Sequence, residues 1–560
     1  MKYQITLISA LILFVGLSAC TPKQQIDRII TGGIIHSGVE DAPLAEAIVV
    51  DQGRILYVGD AKGAKHFSAT TVTDLKGAHL FPGFTDAHAH LFGIGEREIS
   101  LNLENTKSLA DLLDAVKQKV TTQKTGTIMG RGWIETHWPE GRFLNRFDLE
   151  AVAPGRIVLL TRADGHALVA STPALEAVGI NADSIDPAGG RIERDGEGAP
   201  SGMLVDNAMA LVIPLIDNLA GQDRRPILAA GADVMAAYGW TGMHNMSVGR
   251  DDVLLLEDMA KKGNLPIRVY NGLNREAVDL LQDGLRFAGD HRVITRAIKL
   301  YMDGALGSRG AALLAPYSDD PEQSGLMLST KELTIPILSE ALRRGWQLQI
   351  HAIGDRGNRE TLDWMEQTMA EIPADQRKIA DPRWRIEHAQ MLDPSDIARF
   401  AELGVIPSMQ PSHAIGDLYF AKDRVGADRL EGAYAWQSLI DAGSIIPGGS
   451  DAPVERGDPR IEFYAAISRA ALNGFTDEHW HEEEAVSRED ALKMFTLWPA
   501  FASFREDELG TIEVGKRADF TVFDLDLMTV EPKEILTAKV LWTIVDGIDA
   551  YSAKTQETSE

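Results

Sequence analysis

Apolar and polar positions alternate along this chain in two different rhythms, and the change of rhythm divides it. Over residues 27–80 the runs RIITGGIIHSG, EAIVVDQGRILYVGD and TTVTDLKGAHL set β-branched residues between Gly-rich turns, which predicts short strands. The same texture returns near the other end in LGTIEVGKRADFTVFDLD and AKVLWTIVDGIDA. Between these stretches, strand-like apolar runs alternate with segments of helical period such as SLADLLDAVKQKV, ILAAGADVMAAYG and IPILSEALRRG. That alternation predicts parallel βα units. The expected fold is α/β: a (β/α)8 TIM-like barrel over 81–507, with a small composite β-sandwich assembled from residues 27–80 and 508–555. At 560 residues the chain is too long for one ordinary domain but suits a barrel with a satellite. It carries no internal repeat.

Six side chains with metal-ligand character each close an apolar run: His88 and His90 in LFPGFTDAHAH, Lys299 in AIKLYMDG, His351 in LQIHAIGD, His388 in WRIEHAQ and Asp451 in IIPGGSDAP. Alternate residues of a strand share a face, so His88 and His90 can converge on one ion. Lys299 to His351 spans 52 residues, His351 to His388 37, and His388 to Asp451 63, which suits one, one and two βα units. Val405–Gln410 supplies the strand skipped in the last interval. His90 to Lys299 spans 209 residues, about twice what three βα units need, so an inserted subdomain is expected within residues 100–225.

Imidazole and carboxylate suit divalent ions, which lower the pKa of bound water toward about 7 and polarise a carbonyl. A lysine ammonium offers only donors, so Lys299 is costly in such a site unless converted. Carboxylation by carbon dioxide makes it an anionic carbamate able to bridge two metals.

With these motifs the chain resembles the amidohydrolase superfamily, specifically its binuclear members with a carboxylated lysine. The wording PGFTDAHAH, KLYMDGALGSR, HAIGD, RIEHAQ and GGSDAP is similar to the YtcJ-like group of metal-dependent amidohydrolases, over about residues 27–550. The resemblance implies two divalent ions, with zinc the expected metal. It assigns His88, His90 and Asp451 to one and His351 and His388 to the other, bridged by carboxylated Lys299. It implies hydrolysis of a carbon–nitrogen bond other than a peptide bond by metal-bound hydroxide, with Asp451 as proton shuttle. N-acyl amines, formamides, N-acyl amino acids and cyclic amides all fit. The resemblance also points to Trp133, His166 and His413 near the substrate, and Arg309 could pair with a substrate carboxylate through its planar fork. His244 ends another apolar run but is expected not to ligate. His36, His66, His79, His137, His291, His479 and His481 carry no pattern that singles them out.

Two rivals stay open. A mononuclear deaminase of the same superfamily lacks such a lysine and carries a Glu soon after the fifth-strand histidine, whereas His351 is followed by Ala-Ile-Gly-Asp. A non-catalytic envelope protein on a hydrolase scaffold is the other. A serine elbow and a phosphate-binding loop are absent from the sequence.

The N-terminus reads as a targeting segment: Lys2, an apolar run over residues 5–17 too short to span a bilayer, then Leu17-Ser18-Ala19-Cys20. That ending resembles the bacterial lipobox, which makes residues 1–19 a signal peptide, Cys20 the lipidated residue and 20–26 a tether. Cys20 is the only cysteine, so no internal disulfide competes for it. Thr21 after it leans toward the outer membrane, which places the protein on the periplasmic face of a bacterial cell envelope. Formal charge is −27, or −28 without residues 1–19, a field that repels phosphate backbones and argues against nucleic-acid partners.

Overall fold

A computed structural model describes residues 24–553 apart from 105, 136–137, 164, 166, 188–189 and 217–222. The signal segment, Cys20 and His166 therefore lie outside the described residues. Among the described residues no helix is long and apolar enough to cross a membrane.

Seven strands form the barrel wall in chain order, each parallel to the next. They are β1 (Phe84–Ala89), β2 (Trp240–Val248), β3 (Arg268–Leu273), β4 (Val293–Tyr301), β5 (Gln347–Ala352), β6 (Arg385–His388) and β7 (Ile406–Ser408). The eighth place is taken by an irregular stretch over residues 447–451. Gly448 bridges Met409 in parallel on one side, while Ala87 N–H donates to Gly448 O (2.9 Å) and Asp451 N–H to His88 O (2.6 Å) on the other. This closes a TIM-like α/β barrel, and its parallel strands all end at one mouth.

Helices with one apolar stripe cover the wall. Lys331–Arg344 leads into β5 and ends on Gly345, whose φ of 76° is left-handed, with Arg343 and Arg344 facing the negative helix end. Inside, β2, β3 and β4 are joined by amides rather than by apolar contact alone. Asn245 Nδ2 donates to Asn271 Oδ1 (3.2 Å) and Asn271 Nδ2 to Thr295 Oγ1 (3.1 Å). Buried amides need such partners, and this ladder supplies them.

The insertion leaves after β1 and returns before β2. Its sheet orders the strands Gly190–Arg194, Pro200–Asp206, Ala167–Ala170, Val158–Arg162, Ile128–Trp133 and Leu101–Asn102. The flanking helices Leu91–Ile99 and Arg225–Tyr238 pack backbone to backbone. A Cβ on Gly95 would sit 1.8 Å from Ile227 O, and one on Gly231 2.6 Å from Leu91 O. Both glycines are required by that approach, which closes the base of the insertion. Trp133, expected at the substrate, belongs to this subdomain's own core. It is fully buried, donates Nε1–H to Leu160 O (3.0 Å), and packs 5.9 Å from the Trp138 ring. Its apolar strand face turns toward Leu112, Val116 and Leu149 rather than toward the barrel.

Both chain ends share one eight-stranded sheet. Gln24–His36 pairs with Leu44–Asp51, Phe67–Asp74 and His79–Pro82, and the last of these pairs with Phe520–Phe523 from the far end. Ile48 and Val50 join one apolar cluster and Ala47 and Val49 another, so both faces of the sheet are covered. The sheet is riveted to the barrel by Arg268 at the start of β3, which holds Asp519 bidentately at 2.6 and 2.8 Å.

Candidate metal centre

All six expected donors meet at the mouth. His88 Nε2 lies 3.3 Å from Lys299 Nζ and 3.5 Å from Asp451 Oδ1, which is also 3.0 Å from His90 Nε2. The His388 ring stands 4.7 Å from that of His88 and 4.5 Å from that of His351, centroid to centroid. One ligand atom from each of His88, His388 and Asp451 falls within 4.8 Å of the others. Parallel strands ending together do this: Tyr301 is registered against His351 and Ala352 against His388.

The layer beneath determines which atoms face inward. His88 Nδ1–H donates to Glu387 Oε2 (2.6 Å), and His388 Nδ1–H to Gln410 Oε1 (2.8 Å). Each bond leaves the Nε2 lone pair pointing into the mouth, the arrangement that carboxylates and amides impose on metal-ligating histidines. Glu387 is held in turn by Arg385, wholly buried, whose Nη2 donates to Glu387 Oε2 (2.8 Å), Ser408 Oγ (2.7 Å) and Ala87 O (2.7 Å). Arg385 Nε sits 2.7 Å from Glu387 Oε1, close enough for charge pairing though off the N–H axis. His244 accepts from Arg385 Nη1 at 2.7 Å and so supports the layer instead of facing the mouth.

Asp451 is carried there by unusual backbone. Gly449 lies so close to β1 that a Cβ would meet His88 N at 2.5 Å. Asp86 then clamps the stretch, accepting from Ser450 N (3.0 Å), Ser450 Oγ (2.5 Å) and His88 N (3.0 Å). Asp451 and His388 both have left-handed φ, 57° and 76°. Such residues cost about 1–3 kcal/mol each and persist where the surroundings over-determine them. At His388 the positive φ breaks strand alternation, so Glu387 and His388, neighbours in sequence, both face His88.

Burial sets the charge states. It holds His88 and His388 well below the ordinary imidazole range and His351 at about 3, with Lys299 adding repulsion at His88 and His351. Burial alone would raise Asp451, but His88 and His90 outweigh it and keep the carboxyl well below its usual range. Neutral imidazoles around an ionised carboxylate are the state that accepts a cation. His351 Nε2 is buried without a hydrogen-bond partner, 3.6 Å from Asp303 Oδ1. Asp303 spends both its oxygens on Ile353 N, Gly354 N and Ala312 N (2.8–2.9 Å), and burial raises it to about 7. It shapes the loop after β4. Lys299 is 2 % exposed, burial lowers it to about 8, and no carboxylate of the described residues lies within ion-pair distance of its Nζ. The donor set fits divalent ions.

Two of the remaining candidates are resolved by their contacts. His413 stacks 5.9 Å from His388; its Nδ1 accepts from Gln390 Nε2 (3.0 Å), which leaves a buried Nε2–H without a hydrogen bond, 3.7 Å from Asp451 Oδ2. Arg309 closes its fork on Asp319 at 3.0 and 3.0 Å, ten residues on in the same loop. Glu387, Gln410 and Asp86 escaped the sequence reading. Glu387 and Asp86 each lie within two residues of a donor on the same strand, whereas Gln410 follows β7, which carries no donor.

Comparison with known proteins agrees with this geometry. The family described as "Amidohydrolase family" matches residues 71–548. YtcJ of Bacillus subtilis is 31% identical over 529 residues, covering 93% of this chain and 98% of its own. The N-substituted formamide deformylase of Arthrobacter pascens is 28% identical over 527 residues, 90% and 95% of the two chains. The crystal structure of a metal-dependent hydrolase from Pyrococcus horikoshii superposes with a TM-score of 0.75 and 26% identity, over 90% of this chain and 99% of that one.

The buried charge network yields a stability expectation. Arg385→Met leaves the Glu387 carboxylate without its cation and should cost about 3–5 kcal/mol in urea unfolding. A loss below about 1 kcal/mol would mean that Glu387 does not depend on Arg385.

Proposed function

The chain belongs to the amidohydrolase family of metal-dependent hydrolases, and from that premise we propose that it cleaves a carbon–nitrogen bond in a small amide that is not a peptide, an N-substituted formamide or related N-acyl amine. The observation carrying this is the convergence of two oriented imidazole lone pairs, an ionised carboxylate and a lysine without a carboxylate partner at one mouth. The name of the Arthrobacter relative supports the substrate class.

His88, His90 and Asp451 would hold one divalent ion and His351 and His388 a second, with Lys299 as a bridging carbamate. When bound, such ions supply a Lewis acid and bring water within reach of deprotonation near neutral pH. The chain's own residues do the rest. Asp451 takes a proton from the attacking water and returns it to the leaving nitrogen, acting as base and then acid. His413 directs its free Nε2–H at the same space, where it donates to a polar atom of the substrate. A cleft opens beside His90, lined by Phe92, Leu228 and Met246 together with Ser247, Arg250 and Asp252, and it is where the substituent of the substrate would lie. Lys299 reacts as the free amine: nitrogen bonds to the carbon of carbon dioxide and a proton leaves. At about 8, roughly a tenth of it is neutral at pH 7, against well under a thousandth for an ordinary lysine. A mononuclear deaminase makes no use of a lysine so enclosed.

The reading is tested with zinc-loaded protein and a panel of N-substituted formamides, N-acyl amines and cyclic amides; turnover of none of them overturns it. Asp451→Asn should retain most of the metal and lose about 100- to 10,000-fold in kcat, the share typical of acid–base catalysis. Normal turnover in that variant would remove the proton-shuttle role. For Lys299, metal uptake by stripped protein at fixed dissolved carbon dioxide should rise as pH climbs through about 8, because only the neutral amine reacts. A Lys299→Ala protein that still takes up wild-type metal ends the bridging assignment. The lipid anchor is part of the proposal on sequence grounds, and Cys20→Ala should move the protein from membrane to soluble fractions; unchanged membrane association rejects it.

A further inference from the structure

The composite sheet contains a second cluster of ligand-type side chains that shares no residue with the mouth. His36 is the last residue of Gln24–His36, and His79 opens the neighbouring strand His79–Pro82. Asp526 follows Phe520–Phe523, whose last residue is registered against His79. His36 Nε2 lies 3.3 Å from His79 Nδ1 and 3.3 Å from Asp526 Oδ1, and those two are 3.8 Å apart.

These separations discriminate between two chemistries. A charge-assisted hydrogen bond from imidazole to carboxylate runs about 2.7–2.9 Å, and none of the three is that short. Donors on a tetrahedral zinc at about 2.0–2.1 Å stand about 3.3–3.4 Å from one another, the edge of the tetrahedron. Two of the three separations match that edge and the third exceeds it by a few tenths of an ångström. His36 and Asp526 are also each held in place by a contact that leaves the inward atom available. The His36 ring stacks flat on Phe81, 4.4 Å between centroids and 2° between planes. Asp526 accepts Met528 N on Oδ1 and Thr529 Oγ1 on Oδ2, both at 3.0 Å, which fixes the carboxylate while a lone pair of Oδ1 faces the imidazoles. The side chains are 11 %, 13 % and 16 % exposed, so the cluster is enclosed yet reaches solvent on one side.

We infer that His36, His79 and Asp526 form a structural site for a zinc-class divalent cation, water completing the fourth position from the exposed side. Its ligands come from residues 36 and 79 on one side and 526 on the other, so an ion there crosslinks the two chain ends within the sheet that joins them. Its role is stability rather than turnover: N-terminal strands that pair over only a few residues with the C-terminal strands are fastened at their common edge.

Zinc alone is titrated into metal-stripped full-length protein, with bound metal counted by mass spectrometry and Tm followed in parallel. His79→Ala and Asp526→Asn should each bind about one zinc fewer per chain than wild type, lose most of the zinc-dependent rise in Tm, and keep wild-type kcat once the remaining metal is loaded. Asp526→Asn preserves side-chain volume and covers the case in which His79→Ala fails to fold. Equal zinc content and an equal zinc-dependent rise in Tm for wild type and Asp526→Asn would overturn the site and leave a hydrogen-bonded His–His–Asp relay. Loss of one zinc together with turnover would overturn it as well, by tracing the ion to the barrel mouth.

Discussion

The hydrogen bond from His88 Nδ1 to Glu387 is the contact on which the mouth depends. It joins β1 to β6 across the barrel, fixes the tautomer of the histidine nearest the other donors, and brings a full negative charge into the fully buried interior. That charge is tolerable only because Arg385 stands beside it, and Arg385 is itself satisfied by Ser408, Ala87 and His244. A buried charge without a partner is costly, so the layer holds together or fails together. The orientation of the donors above is a consequence.

Above that layer the balance is reversed. The donors are imidazoles kept neutral by burial around a carboxylate kept ionised by its neighbours, with an amine that has no carboxylate partner. Left as it stands, the arrangement leaves ligand lone pairs and a buried imidazole nitrogen without partners. Groups are seldom buried that way without use. The left-handed backbone at His388 and Asp451 fits the same account, since strain is retained where neighbouring structure imposes it. Gly449 and Asp86 do so by pressing and clamping the eighth stretch against β1. The cluster in the composite sheet shows the opposite economy, with donors set by ordinary strand pairing and no strained backbone at His36, His79 or Asp526.

Much of this was legible in the residues because a parallel barrel displays its chemistry at strand ends, and strand ends are visible as apolar runs followed by a polar donor. His88, His90, Lys299, His351, His388 and Asp451 all follow that form, at intervals that count βα units. Trp133 obeyed the same local form but belongs to the inserted sheet; periodicity does not report which sheet a strand joins. Arg309 offered a free fork in sequence and has a closed one in space, because a loop folds back on itself to Asp319. Glu387 was hidden by alternation, which sends neighbours to opposite faces unless φ turns positive between them.

By itself the sequence determined the donor types, their order, the barrel that would gather them and the insertion that interrupts it, since all of these follow from composition and spacing along one dimension. Only the tertiary structure decided which nitrogen of each imidazole faces inward, which residues answer the buried charge, and that His36 and His79 meet Asp526 from 490 and 447 residues away. Those are facts about distance and direction in three dimensions. No periodicity encodes them, because each depends on strands that are remote in the chain arriving side by side.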